Sequence, residues 1–328
     1  MLQRSLQSWL LLIGSSGRDM DFRSEKLLLV DIGGTNFRSA ISYLGSDEVL
    51  ETKKQNVECL ENFSSLVNDL LEEHGPIEHA VFSVAGPKIN NVISMTNRNF
   101  EINAEAIQQQ FGFKSCYLLN DWESIGFSLA GTNTTDIQFI QEGKPFNDTA
   151  FMIGPGTGLG AAFISNDVVF PTEVGNTQFT FQQILADAGV TNVHQFKVLE
   201  DLLSGRGISR LYENFSGVLN SPEDVVRLCK DKDQNAIKAI DAFIDSLAIV
   251  ISDMALTYMP GRGIFVAGGL MRTIYNFIDH ERFINSFIGQ RKSMHQELLQ
   301  KMPIGIITRE MTCLHGNLAF LTSQLMKS

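Results

Sequence analysis

Two glycine-rich turns constrain the fold of this chain more than any other feature of its 328 residues. The first turn, Asp31-Ile-Gly-Gly-Thr-Asn36, follows the apolar residues 27–30, and the second, Gly154-Pro-Gly-Thr-Gly-Leu-Gly160, follows the apolar residues 150–153. Because a further apolar run comes after each turn, each unit is predicted to be two strands joined by a tight turn. This internal repeat predicts two similar α/β halves that face each other.

Strand and helix patterns alternate along the rest of the chain. Short apolar runs at residues 80–84 and 264–267 predict buried strands, and helical spacing of apolar side chains at residues 63–71 predicts a helix. Residues 182–259 are predicted to form a largely helical block. One hydrophobic core rarely serves a chain of this length, so we expect two α/β domains with a cleft between them.

The two turns carry side chains suited to a nucleotide polyphosphate. Glycine is the default residue wherever φ is positive, so a single such turn is often purely structural. Here Asp31 ends a strand, where a carboxylate can hold Mg²⁺ through water, and Thr35 and Thr157 offer donors to phosphate oxygens. Gly268-Gly269 gives a third point of close approach. The glycine spacing matches neither a Walker loop nor a dinucleotide-binding fingerprint, which disfavours an oxidoreductase.

Composition limits the partners of the chain. The 26 basic and 37 acidic residues give a net charge of −11, which argues against a nucleic-acid partner and leaves backbone amides to hold phosphate. Four cysteines without a C-x-x-C pair favour reduced thiols and a cytoplasmic location. No apolar run reaches the roughly 18 residues of a membrane-spanning helix, and the apolar patch at residues 9–13 is shorter than a signal sequence requires.

A longer series of motifs occurs in a fixed order from residue 27 to the C-terminus. The series is Asp31-Ile-Gly-Gly-Thr-Asn-Phe-Arg38, Ala85-Gly-Pro87, Thr96-Asn97, Leu119-Asn-Asp121, Gly154-Pro-Gly-Thr-Gly-Leu-Gly160, Glu173-Val-Gly-Asn176, Leu203-Ser-Gly205 and Ala267-Gly-Gly269. It resembles the bacterial glucokinases, within the sugar-kinase, actin and heat-shock-ATPase superfamily. The resemblance implies an ATP-dependent hexokinase that phosphorylates the 6-hydroxyl of glucose.

The resemblance also implies a fold and a domain plan. The fold would be α/β, with two ribonuclease-H-like domains whose mixed sheets are flanked by helices and an active site in the interdomain cleft. We expect a loose N-terminal extension over residues 1–24, a small domain formed by 25–131 with 308–328, and a large domain over 132–307. The family suggests a homodimer, a small-molecule sugar as substrate, and no nucleic-acid or membrane partner.

The same resemblance assigns roles to individual residues. Asp121 would be the catalytic base. The sugar would be bound by Asn97, Asn120, Asp121, Glu173, Asn176 and Glu200. ATP and Mg²⁺ would be bound at Asp31, Gly33, Gly34, Thr35, Asn36, Gly154, Gly156, Thr157, Gly158, Gly268 and Gly269, with Asp31 holding Mg²⁺ through water.

Asp121 also has a role that chemistry alone suggests. A sugar hydroxyl is a poor nucleophile, and a carboxylate within hydrogen-bond reach can take its proton as the phosphoryl group is transferred. The alternative is helix capping, because Asn120 and Asp121 directly precede an apparent helix that starts at Trp122.

One motif departs from the family. Where the family has Glu-Gly-Gly-His, this chain has Glu173-Val-Gly-Asn176, so an amide replaces a sugar-contacting imidazole. A site built around hydroxyl groups discriminates strongly when one polar partner changes. The identity of the sugar therefore stays open between glucose and another hexose or amino sugar, and a sugar sensor of low activity is a further alternative.

Overall fold

The structure is a computed structural model that describes residues 25–33, 36–56, 63–89, 91–94, 101–178 and 182–326. The predicted N-terminal extension lies outside these residues. So do three predicted site residues, Gly34, Thr35 and Asn97.

Strands in the described part of the chain form three sheets. The strands are β1 (Lys26–Ile32), β2 (Asn36–Tyr43), β3 (Leu50–Asn56), β4 (His79–Val84), β5 (Lys88–Ile89), β6 (Val92–Ser94), β7 (Glu101–Asn103), β8 (Ser115–Asn120), β9 (Ile137–Gln141), β10 (Thr149–Pro155), β11 (Leu159–Ser165), β12 (Val168–Thr172), β13 (Gly263–Val266) and β14 (Ile304–Ile307).

The two large sheets repeat one topology. The first has the order β3-β2-β1-β4-β8, and the second has the order β12-β11-β10-β13-β14-β9. In each, three antiparallel strands form a meander, and two further strands run parallel to the first strand of that meander. The second sheet adds β9 antiparallel at its edge. The predicted α/β fold with mixed sheets in two similar halves is confirmed, and both glycine turns join antiparallel strands as expected.

Helices flank these sheets. They are α1 (Phe63–His74), α2 (Ala104–Phe111), α3 (Asp121–Phe127), α4 (Gln182–Asp187), α5 (Leu199–Leu202), α6 (Gly205–Ser216), α7 (Pro222–Lys230), α8 (Gln234–Tyr258), α9 (Gly269–Ile274), α10 (His280–Ile288), α11 (Ser293–Leu299) and α12 (Thr312–Leu325).

The C-terminal helix α12 packs against the five-stranded sheet. Its side chains Leu314, Leu318 and Leu321 share a buried apolar cluster with Leu27 and Leu29 of β1. Helix α12 thus covers the sheet that contains β1. The domain boundaries themselves, at residues 131/132 and 307/308, stay a prediction.

Helix α3 packs between the two halves of the molecule. On one side, Gly316 of α12 lies so close to the Ser124 carbonyl that a methyl group at residue 316 would overlap it. On the other side, Gly126 lies directly against the Val169 side chain of β12. Because α3 is the direct continuation of β8, this packing fixes the end of that strand relative to the six-stranded sheet.

No helix within the described residues is both long enough and apolar enough to cross a membrane. The cytoplasmic location and the homodimer stay predictions.

The close contact between α3 and α12 predicts the effect of a single methyl group. Gly316→Ala should lower the free energy of unfolding by about 1–3 kcal/mol, because the added group must push the helices apart. The measurement is the midpoint of urea unfolding. Gly131→Ala is the matched control, since no atom lies within 4 Å of the added group there. Equal midpoints for the two variants would contradict the proposed packing.

Candidate active site

The carboxyl ends of neighbouring strands bring the predicted acids together. Strands β1, β4 and β8 run parallel, with Ile32, Val84 and Asn120 side by side at their ends. Asp31 precedes Ile32 in β1, and Asp121 directly follows Asn120. In open α/β sheets this edge is the usual place for a ligand.

Asn120 caps helix α3. Its Oδ1 accepts hydrogen bonds from the N–H groups of Trp122 (2.8 Å) and Glu123 (3.2 Å), and its Nδ2 donates to the Gly86 carbonyl (2.8 Å). The Glu123 carboxylate accepts the Asn120 N–H (3.2 Å), which completes a capping box. The capping role considered for Asp121 thus belongs to Asn120. The cap occupies Asn120 Oδ1, and the bond to Gly86 uses one of the two N–H donors of Nδ2.

Asp121 is the first residue of α3 and is held less tightly than its neighbour. Its Oδ1 accepts the Trp122 N–H at 3.0 Å. The residue is partly accessible, while many protein atoms surround its carboxyl, and we call this position the Asp121 recess. Its pKa is raised to about 7 by burial and by the negative charges of Asp31 and Glu173, against the opposing effect of nearby N–H groups. Asp31 and Glu173 are thus each close enough for their charge to act on Asp121.

Asp31 is a buried carboxylate with fixed partners. Its Oδ2 lies 2.6 Å from Arg38 Nη1, and its Oδ1 accepts a hydrogen bond from Ser83 Oγ (3.1 Å). The Cys313 thiol also contacts it, and burial, together with the charges of Asp31 and Asp121, raises the pKa of this thiol. The thiol therefore stays a neutral donor.

A metal ion at Asp31 would need ligands from outside the protein. Within the described residues, no three His, Cys, Asp or Glu side chains are grouped closely enough to hold one. A carboxylate oxygen does suit Mg²⁺, which usually keeps several waters and takes further ligands from substrate phosphates. The water-mediated contact of Asp31 with Mg²⁺ stays a prediction.

Helices α5 and α6 contact the second glycine turn. Both belong to the half of the molecule that contains the six-stranded sheet, which we call the large half. Its Gly156 N–H donates to the Gly158 carbonyl (2.8 Å), and the Gly156 carbonyl accepts the Gly205 N–H (2.8 Å). Glu200 Oε2 accepts the Leu159 N–H (3.0 Å). Gly158 lies so close to this carboxylate that a side chain there would overlap it. Glu200, predicted as a sugar ligand, thus lies directly at the predicted phosphate turn.

The position of Trp122 accounts for the absence of a side chain at two residues of that turn. Its indole ring lies where side chains at Gly154 and Gly160 would be, and these two glycines pair across β10 and β11. The residue that follows Asp121 therefore docks onto the hairpin of the other half. Phosphate binding at Gly154 stays a prediction, but its lack of a side chain is already explained by this contact.

The segment with the altered family motif lies beside the same turn. Val174 is buried in the core of the large half, and Gly175 lies directly against the Leu159 carbonyl. Glu173 and Asn176 are exposed, with Asn176 Nδ2 3.4 Å from Glu173 Oε2. Val174 therefore packs in the core, while Glu173 and Asn176 lie at the surface.

The remaining predicted nucleotide residues lie at the ends of strands. Gly268, at φ +113°, follows β13 beside the Pro155 carbonyl, which brings Gly268-Gly269 to the second turn. In the first turn, the Gly33 N–H donates to the Asn36 carbonyl (2.8 Å). Thr157 is exposed at the tip of the second turn.

Several residues at the site were missed by sequence reasoning. They are Arg38, Trp122, Arg206 and Asn317. Asn317 is fully buried, donates to the Val30 carbonyl (2.8 Å) and accepts from Ser124 Oγ (2.8 Å). An amide between apolar neighbours, Gly316 and Leu318, was the available signal for Asn317.

Comparison with known proteins decides the family. A family model described as Glucokinase matches residues 28–324. The chain belongs to the glucokinase family. Membership makes it a sugar kinase, and the expected resemblance is confirmed.

Individual glucokinases agree with this assignment. A glucokinase of Nostoc punctiforme is 27% identical over 333 residues, covering 88% of this chain and 97% of the relative. The solved glucokinase of an Antarctic psychrotroph has a TM-score of 0.74 at 23% identity and covers 91% of this chain and 99% of its own. A glucokinase of Streptomyces griseus, solved with glucose and AMPPNP, has a TM-score of 0.66 at 16% identity, with 91% and 99% covered. These structures support the shared two-domain kinase fold.

The raised pKa of Asp121 predicts how stability of this glucokinase-family chain depends on pH. The carboxyl ionises near its ordinary value of 3.8 when unfolded but near 7 when folded, so folding loses stabilisation as pH rises between them. Asp121→Asn removes that charge. The melting temperature of the variant should exceed that of the wild type at pH 8 by about 2 °C or more, and the difference should shrink toward pH 4.

Asp201→Asn is the control of opposite sign. Although burial opposes ionisation of Asp201, the Lys197 N–H and the Arg210 guanidinium lower its pKa in the folded protein. Loss of the Asp201 charge should therefore lower the melting temperature of the variant below that of the wild type at neutral pH. The difference between the two melting temperatures should fade in acid. A wild type more stable than Asp121→Asn at pH 8 would contradict the description of the Asp121 recess.

Proposed function

We propose that the chain is an ATP-dependent hexokinase that transfers the γ-phosphoryl group of MgATP to the 6-hydroxyl of glucose, giving glucose 6-phosphate and ADP. The observation that carries this proposal is the position of Asp121. It is the first residue of α3, its carboxyl lies in the recess, and burial raises the pKa of this carboxyl to about 7. A general base works best when its pKa lies near the operating pH. The likeness to a glucokinase solved with glucose and AMPPNP supports the choice of sugar and nucleotide.

Asp121 acts as the base in this proposal. One of its oxygens is held by the Trp122 N–H, which orients the carboxylate, and the other can accept the proton of the sugar hydroxyl. The hydroxyl oxygen then bonds to the γ-phosphorus, the bond from that phosphorus to the ADP oxygen breaks, and the proton goes to Asp121. Phosphoryl transfer depends mostly on positioning and charge neutralisation, so the other residues bind and orient.

Sugar binding falls to polar groups around the recess. Vicinal hydroxyls suit carboxylates and amides, and Glu173, Asn176 and Glu200 offer such groups near the second turn. Asn120 Nδ2 donates one hydrogen to the Gly86 carbonyl and can donate its second hydrogen to the sugar. Asn97 would complete the set.

The two glycine turns would bind the nucleotide. Backbone N–H groups of both turns would bind the phosphates. In the first turn, at Gly33 to Asn36, these are the N–H groups other than that of Gly33, which already donates to the Asn36 carbonyl. In the second turn they are the N–H groups around Thr157 and Gly158, and Gly268-Gly269 would lie near the adenosine. Gly34 and Thr35 belong to the same first turn, and Gly154 and Gly156 to the second. Mg²⁺, bound with the nucleotide, would neutralise phosphate charge, and Asp31 would hold it through water.

The recess lies between two domains in this proposal. We place the small domain at 25–131 with 308–328 and the large domain at 132–307. The packing of α12 on the five-stranded sheet supports the return of the C-terminus to the small domain. Closure of the two domains would exclude water from the phosphoryl group.

A kinase for another hexose or an amino sugar is the second candidate. Asn176 is exposed and lies 3.4 Å from the Glu173 carboxylate, where the family has an imidazole. A coupled assay of ADP formation with glucose, mannose, fructose, glucosamine and N-acetylglucosamine decides between the two. We expect the highest kcat/KM for glucose, and a higher value for any other sugar would replace glucose as the assigned substrate.

Replacement of Asp121 tests the base directly. Asp121→Asn should lower kcat by about 10²-fold or more, because proton removal loses its acceptor, while binding of an ATP analogue measured by calorimetry is retained. In the wild type, kcat/KM should fall about tenfold per pH unit below pH 7, as the carboxyl becomes protonated.

Asp148→Asn is the matched control for this experiment. Asp148 is exposed and precedes β10, whose opposite end carries the second turn, and its amide variant should keep wild-type turnover. If Asp121→Asn turned over at a similar rate, Asp121 would not be the base.

A further inference from the structure

The charges around the recess create a problem for the nucleotide. Asp31, Asp121, Glu173 and Glu200 all lie at the ends of the strands or beside the second turn. A polyphosphate that enters this region meets several carboxylates, and like charges repel. Neutralisation by protein cations would therefore matter here.

Two cations near these carboxylates are already engaged. Arg38 lies 2.6 Å from Asp31 Oδ2. Lys88 donates to both Glu123 oxygens (3.0 and 2.7 Å) and to the Leu118 carbonyl (3.1 Å). The three N–H donors of Lys88 are thus used, and Arg38 is fixed at the buried Asp31 carboxylate beside the first turn.

Arg206 has a different environment. Its side chain is 55% exposed, and among the described residues its one ion pair is a long contact of 3.6 Å from Nη2 to Glu200 Oε1. Since a guanidinium has five N–H donors, most of its donors stay available.

The backbone holds Arg206 next to the second turn. The preceding residue, Gly205, donates its N–H to the Gly156 carbonyl (2.8 Å). Its ion-pair partner Glu200 accepts the Leu159 N–H (3.0 Å) through the other carboxylate oxygen. Two separate contacts thus tie the arginine to the turn that we propose for phosphate binding.

We propose that Arg206 binds the polyphosphate of ATP at the second glycine turn, with Glu200 holding the arginine in place before the nucleotide arrives. This inference rests on the proposed function, because it takes that turn as the phosphate site. A guanidinium suits the task, since its planar donors match two phosphate oxygens at once.

Variants at residue 206 test the proposal through binding as well as catalysis. Arg206→Met should raise the Kd of MgAMPPNP, measured by calorimetry without sugar, by about tenfold, which is typical for the loss of a charge-assisted hydrogen bond. The KM for ATP should rise by a similar factor. Arg206→Lys should recover part of the affinity, because it keeps the charge but loses the planar pair of donors.

Lys114→Met is the matched control. Lys114 is also exposed and paired with a carboxylate, Glu25, but it precedes β8 at the end opposite Asp121, so its removal should leave nucleotide affinity unchanged. The Kd of glucose, measured without nucleotide, should be the same in Arg206→Met and the wild type.

Two results would overturn the proposal. One is an unchanged Kd of MgAMPPNP in Arg206→Met. The other is an equal loss of sugar and nucleotide affinity, which would mean that Arg206 acts by supporting Glu200. If the wild type formed no ADP with any sugar, the kinase proposal would fail separately, while the calorimetric comparison would still test Arg206.

Discussion

The packing of helix α3 between helix α12 and the six-stranded sheet is the constraint on which the rest of the site depends. One face of the helix meets α12 where Gly316 leaves no room for a side chain, and the other meets β12 at Val169. Trp122 reaches further, onto Gly154 and Gly160 of the second hairpin. Because Asp121 is the first residue of this helix, the contacts that join the halves also set the position of the carboxyl. A shift of the helix would therefore move the proposed base relative to both turns.

Electrostatics follow from that position. Asp121 lies where burial and two neighbouring acids favour its neutral form, although a helix N-terminus and the Trp122 N–H favour the charged one. The balance leaves a carboxyl that can both take and release a proton near neutral pH. Asp31, by contrast, is held by Arg38 and Ser83, so the two acids are suited to different tasks. Environment thus separates two chemically identical side chains.

Local patterns predicted the architecture because they reflect local physics. Glycine turns between apolar runs indicated both hairpins and two similar α/β halves, while the strand order within each sheet came only from the structure. The sequence could not show why each glycine is present, since Gly154 and Gly160 accommodate a tryptophan that lies more than thirty residues away in the chain. The same limit applies to Asn120, whose family resemblance suggested sugar binding while its hydrogen bonds serve the helix cap. Strands β5 and β7 of the small sheet were also missed, because two- and three-residue strands carry almost no periodic signal.

The central claim is that a carboxyl of raised pKa lies at the junction of the two halves. The most direct test is a ¹³C NMR titration of the Asp121 side-chain carboxyl in the ligand-free protein, with the resonance assigned by its absence in Asp121→Asn. We expect a midpoint near pH 7. A midpoint near the ordinary value of 3.8 would mean that the carboxyl is in free contact with water and is not the buried group described above.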